Sequence, residues 1–211
     1  MKQGLAKLVF IVDRSGSMSS IASDMEGAIQ EVLKEQKETH DGEMLVTFVR
    51  FDDQYEEVFS DKPIADVTDT AISPRNMTAL LDAIGKTVNN VSEKFEAADE
   101  DERPERVLFI IVTDGQENAS KEFTRDQVFK LIEEKKTQNR WGFTFIGANQ
   151  DAIQEGGYLG VNMADAINFR ASAKGVKGMS RAISTYTTSY MAQGDASYTD
   201  QDRLAAMDED E

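Results

Sequence analysis

The stretch "LVFIVDRSGSMSS", residues 8–20, sets an unbroken apolar run directly before one aspartate and four serines. A continuous run of branched and aromatic residues is typical of a strand buried on both faces of a parallel sheet. Asp13, Ser15 and Ser17 follow at alternate positions, and alternate residues of an extended loop point the same way. The stretch therefore predicts a buried strand whose following loop presents three oxygen-bearing side chains together.

Composition narrows the class of protein. The chain has 211 residues, no cysteine, and a formal net charge of −16. This length fits one domain with a substantial core. The absence of cysteine excludes disulfides and thiol catalysis and favours a reducing compartment, so we expect a cytoplasmic protein. The negative charge disfavours nucleic acid and anionic membranes as partners, and no apolar run reaches the roughly 18 residues of a membrane span.

Apolar runs alternate with segments of helical period, which predicts an α/β fold. We expect a doubly wound, mainly parallel sheet with helices on both faces. The parallel strands are expected near residues 8–12, 44–51, 107–112, 141–149 and 166–172. "DDQ" followed by "YEEVF" predicts a hairpin that adds one antiparallel edge strand. Residues 1–193 are expected to form the domain, and residues 194–211 an acidic, solvated tail.

The loops that follow the strands are the expected site, because ligands of such sheets bind at the carboxyl ends of the strands. The loop after residues 8–12 carries Asp13, Ser15 and Ser17, and the loop after residues 107–112 carries Asp114. If these two strands are neighbours, the four side chains converge. Oxygen donors without histidine or cysteine favour Mg²⁺, Ca²⁺ or Mn²⁺ over zinc or copper. Taken singly, Ser17 also fits a helix cap and Asp114 an ordinary turn.

Three segments together resemble the von Willebrand factor A (VWA) domain. "DRSGSM" at 13–18 matches its D-x-S-x-S signature, "NMTALLDAI" at 76–84 its threonine loop, and "TDG" at 113–115 its second aspartate loop. The segments occur in the family's order, and the resemblance runs from about Lys7 to about Gln193. This resemblance implies a three-layer, Rossmann-like sandwich. The chain resembles stand-alone bacterial or bacteriophage members of the family more than secreted receptors.

The resemblance also implies a metal-ion-dependent adhesion site. Its ligands would be Asp13, Ser15, Ser17, Thr78 and Asp114. Neutral hydroxyl ligands leave the ion electron-poor, so an acidic side chain from a partner would complete its coordination. The expected contact rim around the ion consists of Arg14, Met18, Asn76, Met77 and Glu117. Asn149 is expected to contact the metal ligands rather than the ion itself.

The predicted function is metal-dependent protein–protein binding without catalysis, with Mg²⁺ as the expected ion. The partner would present Asp or Glu, and an AAA+ ATPase or a subunit of an assembly is the kind of partner that bacterial relatives have. A structural subunit with incidental metal stays open, as does metal-assisted hydrolysis. A serine hydrolase is disfavoured, because His40 is the only histidine and a helix over about residues 18–38 would place it roughly 30 Å from the serines.

Overall fold

A computed structural model describes residues 1–148 and 152–208 of the chain. The strands among these residues are β1 (Lys2–Asp13), β2 (Glu43–Phe51), β3 (Tyr55–Pro63), β4 (Pro104–Thr113), β5 (Gly142–Ala148) and β6 (Ala166–Phe169). The α-helices are α1 (Ala22–Thr39), α2 (Leu80–Ala97), α3 (Arg125–Asn139), α4 (Ala152–Tyr158), α5 (Ala173–Gln193) and α6 (Asp200–Ala206). Short 3₁₀ turns lie at Gly16–Ser20, Ile64–Asp66 and Met163–Asp165.

The strands form one sheet in the order β3-β2-β1-β4-β5-β6. All neighbouring pairs are parallel except β2 and β3, which are antiparallel and place β3 at one edge. The predicted fold class is therefore confirmed. β1 lies directly between β2 and β4, so the loops after β1 and β4 are neighbours at the point where the strand order reverses. This pairing meets the condition on which convergence of the site depended.

Both faces of the sheet are buried, as the unbroken apolar runs predict. Leu8 and Phe10 of β1 pack into a core shared with α1 and α5. Val9 and Ile11 point to the opposite face and pack into a core shared with α2 and α3. Helix α3 begins with the capping box that the spacing of Thr124 and Gln127 predicts. With helices packed on both faces of β1, its polar carboxyl end lies at one end of the strands, beside the carboxyl end of β4.

The segment between β2 and α2 has no clear sequence pattern beyond the predicted short edge strand. The predicted short edge strand continues as β3 to Pro63, and residues 67–79 form an irregular loop before α2. Two non-glycine residues of this loop, Ser73 and Asn76, adopt left-handed backbone angles with φ of 54° and 59°. Asn tolerates this conformation better than most residues, and both positions are exposed. This loop has specific backbone angles although its sequence shows neither a helical nor a strand period.

The residues after α5 pack on the domain as far as Asp208, which differs from the expectation of a solvated tail. Tyr198 is buried, stacks on Tyr186 with ring centroids 4.7 Å apart, and shares a 2.8 Å hydrogen bond with Thr144. Arg203 Nη1 donates to the carbonyl oxygen of Ala166 in β6 at 2.6 Å. Most acidic side chains of this segment are exposed, whereas Tyr198 and Ala206 are buried against the core. Among the described residues, no helix has the length and apolarity needed to cross a lipid bilayer.

Candidate metal centre

The loop that leaves β1 is folded around the Asp13 carboxylate. Asp13 is fully buried, and its Oδ1 accepts a 2.6 Å hydrogen bond from the backbone N–H of Ser15. Its Oδ2 accepts a 2.6 Å hydrogen bond from Thr113 Oγ1, at the end of the neighbouring strand β4. The carboxylate therefore ties the ends of the two central strands together and sets the direction in which the serines project.

Two serine hydroxyls connect this loop to the second aspartate. Ser15 Oγ and Ser17 Oγ lie 3.0 Å apart, and Ser17 Oγ donates to Asp114 Oδ1 at 2.7 Å. Ser15 is buried, Asp114 is half-buried and Ser17 is exposed. The polar cluster consequently opens to solvent on the side of Ser17 and Asp114.

Thr78 joins the cluster from the loop before α2. The position that a Cβ atom would take on Gly115 lies 3.2 Å from Thr78 Oγ1, 3.4 Å from Ser17 Oγ and 3.8 Å from Ser15 Oγ. Three hydroxyl oxygens from two loops thus surround one point beside Gly115. Thr78 is held there because its N–H donates to Asn118 Oδ1 at 2.9 Å. Glycine at 115 leaves this space open.

The electrostatics favour a cation at this point. Burial raises the pKa of Asp13 from 3.8 to about 6, although the hydrogen bonds from Thr113 and Ser15 act in the opposite direction. Burial also raises the pKa of Asp114. Raised carboxyl pKa values mean that the ionised forms lack compensating charge in the protein alone. A divalent cation would supply that charge.

The donor set fits a hard cation. Among the residues the structure describes, no three His, Cys, Asp or Glu side chains cluster in a way that could hold a metal. The set brought together here instead combines two carboxylates with three neutral hydroxyls. Oxygen ligands of this kind are the ones that Mg²⁺, Ca²⁺ and Mn²⁺ prefer. The five residues proposed as ligands thus lie at the end of β1 or in the loops that meet at this point.

The expected contact rim divides into buried and exposed residues. Arg14 is 3% exposed and Met18 is 0% exposed, so neither side chain faces a partner, in contrast to the expectation. The Glu117 carboxylate accepts hydrogen bonds from the N–H groups of Leu81, Ala119 and Ser120 and from the Ser120 hydroxyl, which makes it an anchor of the loop before α3.

Asn76 and Met77 do lie on the surface, and the Met77 side chain is 55% exposed. They therefore remain candidates for partner contact. Asn149 lies outside the described residues.

Two residues that shape the site had no assigned role in the sequence. Thr113 holds Asp13 from the neighbouring strand, and Gly115 leaves room for three hydroxyls. Both flank Asp114 in "TDG", so the signal was their position beside a candidate ligand. Their roles depend on the packing of β1 against β4, which local sequence does not encode.

The chain belongs to the von Willebrand factor type A domain family, whose model matches residues 7–172. Among solved structures, it is similar to proximal thread matrix protein 1 from the mussel byssus with a zinc-occupied MIDAS motif, at 16% identity and a TM-score of 0.63, covering 88% of this chain and 46% of that one. It is also similar to the ArnB paralog VWA2 from Sulfolobus acidocaldarius, at 17% identity and a TM-score of 0.56, covering 88% and 45%.

A third similar structure is the pilus adhesin SpaC from Lactobacillus rhamnosus GG, at 13% identity and a TM-score of 0.66, covering 90% of this chain and 30% of that one. At these identities the likeness concerns the fold. This chain spans less than half the length of each of the three proteins. The comparison with curated proteins gives no match.

Proposed function

We propose that this protein is a metal-dependent protein-binding module. Asp13, Ser15, Ser17, Thr78 and Asp114 would hold a divalent cation, and an acidic side chain of the partner would become its last ligand. The observation that carries this proposal is the point beside Gly115, where three hydroxyl oxygens converge next to Asp114 on the open side of the site. Neutral hydroxyls donate less electron density than carboxylates would, so the bound ion stays electron-poor and would attract a carboxylate as a further ligand.

Mg²⁺ is the ion that we propose, with Ca²⁺ and Mn²⁺ as alternatives. Mg²⁺ keeps several waters in an octahedral shell, and such waters can be exchanged for a partner's carboxylate. The zinc-occupied MIDAS motif of the mussel protein supports a divalent ion in a site of this type. The donor set of this chain contains no nitrogen or sulfur, which is the reason for preferring a harder ion than zinc here.

The partner is proposed to be a protein that presents Asp or Glu. An AAA+ ATPase or a subunit of a larger assembly stays the expected kind of partner, and the cytoplasmic location and the bacterial or bacteriophage source also stay predictions. The similarity to a pilus adhesin agrees with a role in protein–protein contact. A structural subunit with incidental metal differs from this proposal in one measurable way, since its binding would not depend on the ion.

Catalysis by a serine–histidine pair does not fit the geometry. His40 follows α1 and lines a cavity together with Gln3 and Glu105, which lie near the starts of β1 and β4. Ser15 and Ser17 follow the opposite end of β1. The histidine and the serines therefore lie at opposite ends of β1. We propose that the protein is not an enzyme.

The proposal is tested by metal titration and by capture of partners from lysate. The protein is expected to bind Mg²⁺ in calorimetry and to release captured partners when a chelator is added. Asp114→Ala and Thr78→Ala are expected to lose both properties, because each removes one ligand oxygen. Asp101→Ala is the matched control, since it removes one carboxylate from an exposed turn before the start of β4, whereas the site lies beyond the other end of that strand. Partner binding that persists in chelator, or in Asp114→Ala, would contradict the proposal.

A further inference from the structure

A connected group of five charged side chains lies beside the proposed metal site. Glu56 accepts hydrogen bonds from Arg14 and from Arg50, the latter through both carboxylate oxygens at 3.1 and 2.9 Å. Asp52 is fully buried, accepts from Arg75 Nε at 2.5 Å, and lies 3.6 Å from Arg14 Nε. Three guanidinium groups thus share two carboxylates. The hydrogen bonds from Arg50 and Arg14 hold the pKa of Glu56 at about 2, so this carboxylate stays ionised.

Arg75 is the member of this group that faces solvent. Its side chain is 48% exposed, whereas those of Arg14 and Arg50 are 4% and 17% exposed. Arg75 Nη2 lies 3.4 Å from Gln54 Oε1, at the limit of a hydrogen bond. Within residues 1–148 and 152–208, Arg75 Nη1 has no protein acceptor. One edge of a fixed guanidinium is therefore available to an outside ligand.

The backbone of Arg75 is attached to the loop that carries the proposed metal ligands. Its N–H donates to the carbonyl oxygen of Arg14 at 2.7 Å. The next residue, Asn76, accepts a 3.1 Å hydrogen bond from the N–H of Gly16, which stands between Ser15 and Ser17. Movement of Arg75 relative to the metal loop would break these bonds. The position of the Arg75 backbone relative to the metal point is consequently set before any partner arrives.

Such fixation matters for recognition. An exposed arginine normally loses rotamer freedom when it binds a carboxylate, and this loss offsets much of the gain. Here Asp52 already holds Arg75 Nε, so little further ordering is needed. The guanidinium fork also matches a carboxylate with two parallel hydrogen bonds. Asp53 is exposed nearby and accepts from Asn76 Nδ2 at 3.0 Å, so the local charge is close to balanced and any preference arises from the fork rather than from a positive field.

We propose that Arg75 is a second recognition point for the partner. The partner would present two acidic residues, one completing the coordination of the metal and the other pairing with the free edge of the Arg75 guanidinium. This inference rests on the proposed function, and it narrows the partner from a protein with an exposed acidic residue to one with an acidic pair. The spacing of the pair is set by the fixed Arg75 backbone.

The test uses short glycine–serine peptides as probes. One peptide carries a single aspartate, and a series carries two aspartates at increasing separation. Their affinities are measured with Mg²⁺ for the unchanged protein, for Arg75→Gln, and for the control Arg125→Gln. Arg125 is a suitable control because its side chain is 41% exposed and ion-paired to Glu155 at 2.8 Å. At one separation, the second aspartate is expected to raise affinity about tenfold for the unchanged protein and for Arg125→Gln.

The same second aspartate is expected to give no gain in Arg75→Gln, while the Mg²⁺ affinity of this variant stays that of the unchanged protein. A loss of Mg²⁺ affinity together with an equal loss for all peptides would mean that Arg75 only supports the loop, and would overturn the inference. Metal-dependent binding of single-aspartate peptides with no gain at any separation would overturn this inference and leave the proposed function intact. If no acidic peptide binds in the presence of Mg²⁺, both fail.

Discussion

Asparagine in place of Asp13 is expected to stabilise the metal-free protein and to abolish its response to metal. Asp13 is fully buried, and both of its oxygens accept hydrogen bonds. In Asp13→Asn, Oδ1 can still accept from the Ser15 N–H, and Nδ2 can donate to Thr113 Oγ1. The Thr113 hydroxyl can then donate to the Gly115 carbonyl oxygen, which lies 3.1 Å away. The substitution thus keeps the local hydrogen bonds while it removes the buried charge.

The magnitude follows from the pKa of Asp13. Burial raises this pKa from 3.8 to about 6, and the difference corresponds to about 3 kcal/mol of unfolding free energy. Between these two pH values the folded state binds more protons than the unfolded state, so this group lowers stability as pH rises. Its penalty is absent below about pH 4, grows toward pH 6 and is constant above it. Asp13→Asn lacks this penalty. Its unfolding free energy is therefore expected to exceed that of the unchanged protein most at pH 7, and the difference is expected to vanish near pH 4.

The assay is urea unfolding at pH 7 and pH 4, in chelator and with saturating Mg²⁺. Bound ion is expected to stabilise the unchanged protein by about 2.7 kcal/mol at one hundred times the dissociation constant, and to leave Asp13→Asn unaffected. Asp82→Asn is the control with the opposite sign. Burial acts to raise the pKa of Asp82, but the N–H groups of Lys121, Phe123 and Glu122 outweigh it and leave this pKa lowered. Its substitution should therefore destabilise most at pH 7. An Asp13→Asn protein that is less stable than the unchanged protein at pH 7 in chelator would refute the reasoning.

Two further substitutions test other parts of the structure. Gly115→Ala places a methyl group against the Thr78, Ser17 and Ser15 hydroxyls, so calorimetry is expected to show loss of Mg²⁺ binding. The unfolding free energy of the metal-free variant is expected to stay within about 1 kcal/mol of that of the unchanged protein. Undiminished Mg²⁺ affinity would mean that the ion lies elsewhere. Tyr198→Ala removes a buried stacked ring and is expected to cost about 3 to 5 kcal/mol in urea unfolding. The control Tyr158→Ala, whose side chain is 53% exposed, should change stability by about 0.5 kcal/mol at most, and similar effects of the two would contradict the packing described for Tyr198.

The parts of the fold that sequence predicted best are those where burial is uniform. β1 and β4 are covered on both faces, so their apolar runs are unbroken and easy to recognise. Asp13, Ser15, Ser17 and Asp114 were predicted for a related reason, since the carboxyl ends of adjacent parallel strands lie side by side. Thr78 was added only through the resemblance to the VWA domain. Whether Asp13 and Asp114 would be neighbours depended on the strand order, which the sequence pattern suggested and the pairing of β1 with β4 confirmed.

Side-chain direction inside the site loops was not predictable in the same way. Arg14 and Met18 stand among the candidate ligands in sequence, yet both are buried. The direction of Arg14 is set by Glu56 and Asp52, which follow β2 and lie about 40 residues away along the chain. Met18 lies in the 3₁₀ turn Gly16–Ser20, whose buried side packs into the core with α1. Long-range partners, rather than local periodicity, decide which residues of such a loop face a ligand.

The C-terminal segment packs on the domain although its acidic composition predicted a solvated tail. β6 has four residues and is an edge strand of the sheet. An uncovered edge strand exposes backbone N–H and C=O groups that can pair with other chains. Here the backbone N–H of Tyr198 donates to the Ala164 carbonyl at 3.0 Å, and the N–H of Arg170 donates to the Ala206 carbonyl at 2.9 Å. Close approach is possible because Gly175 and Gly178 of α5 present no side chain to the backbone of α6. A segment with many acidic residues can therefore be an integral part of the domain, since a few small and aromatic residues suffice to dock it while the charges remain in water.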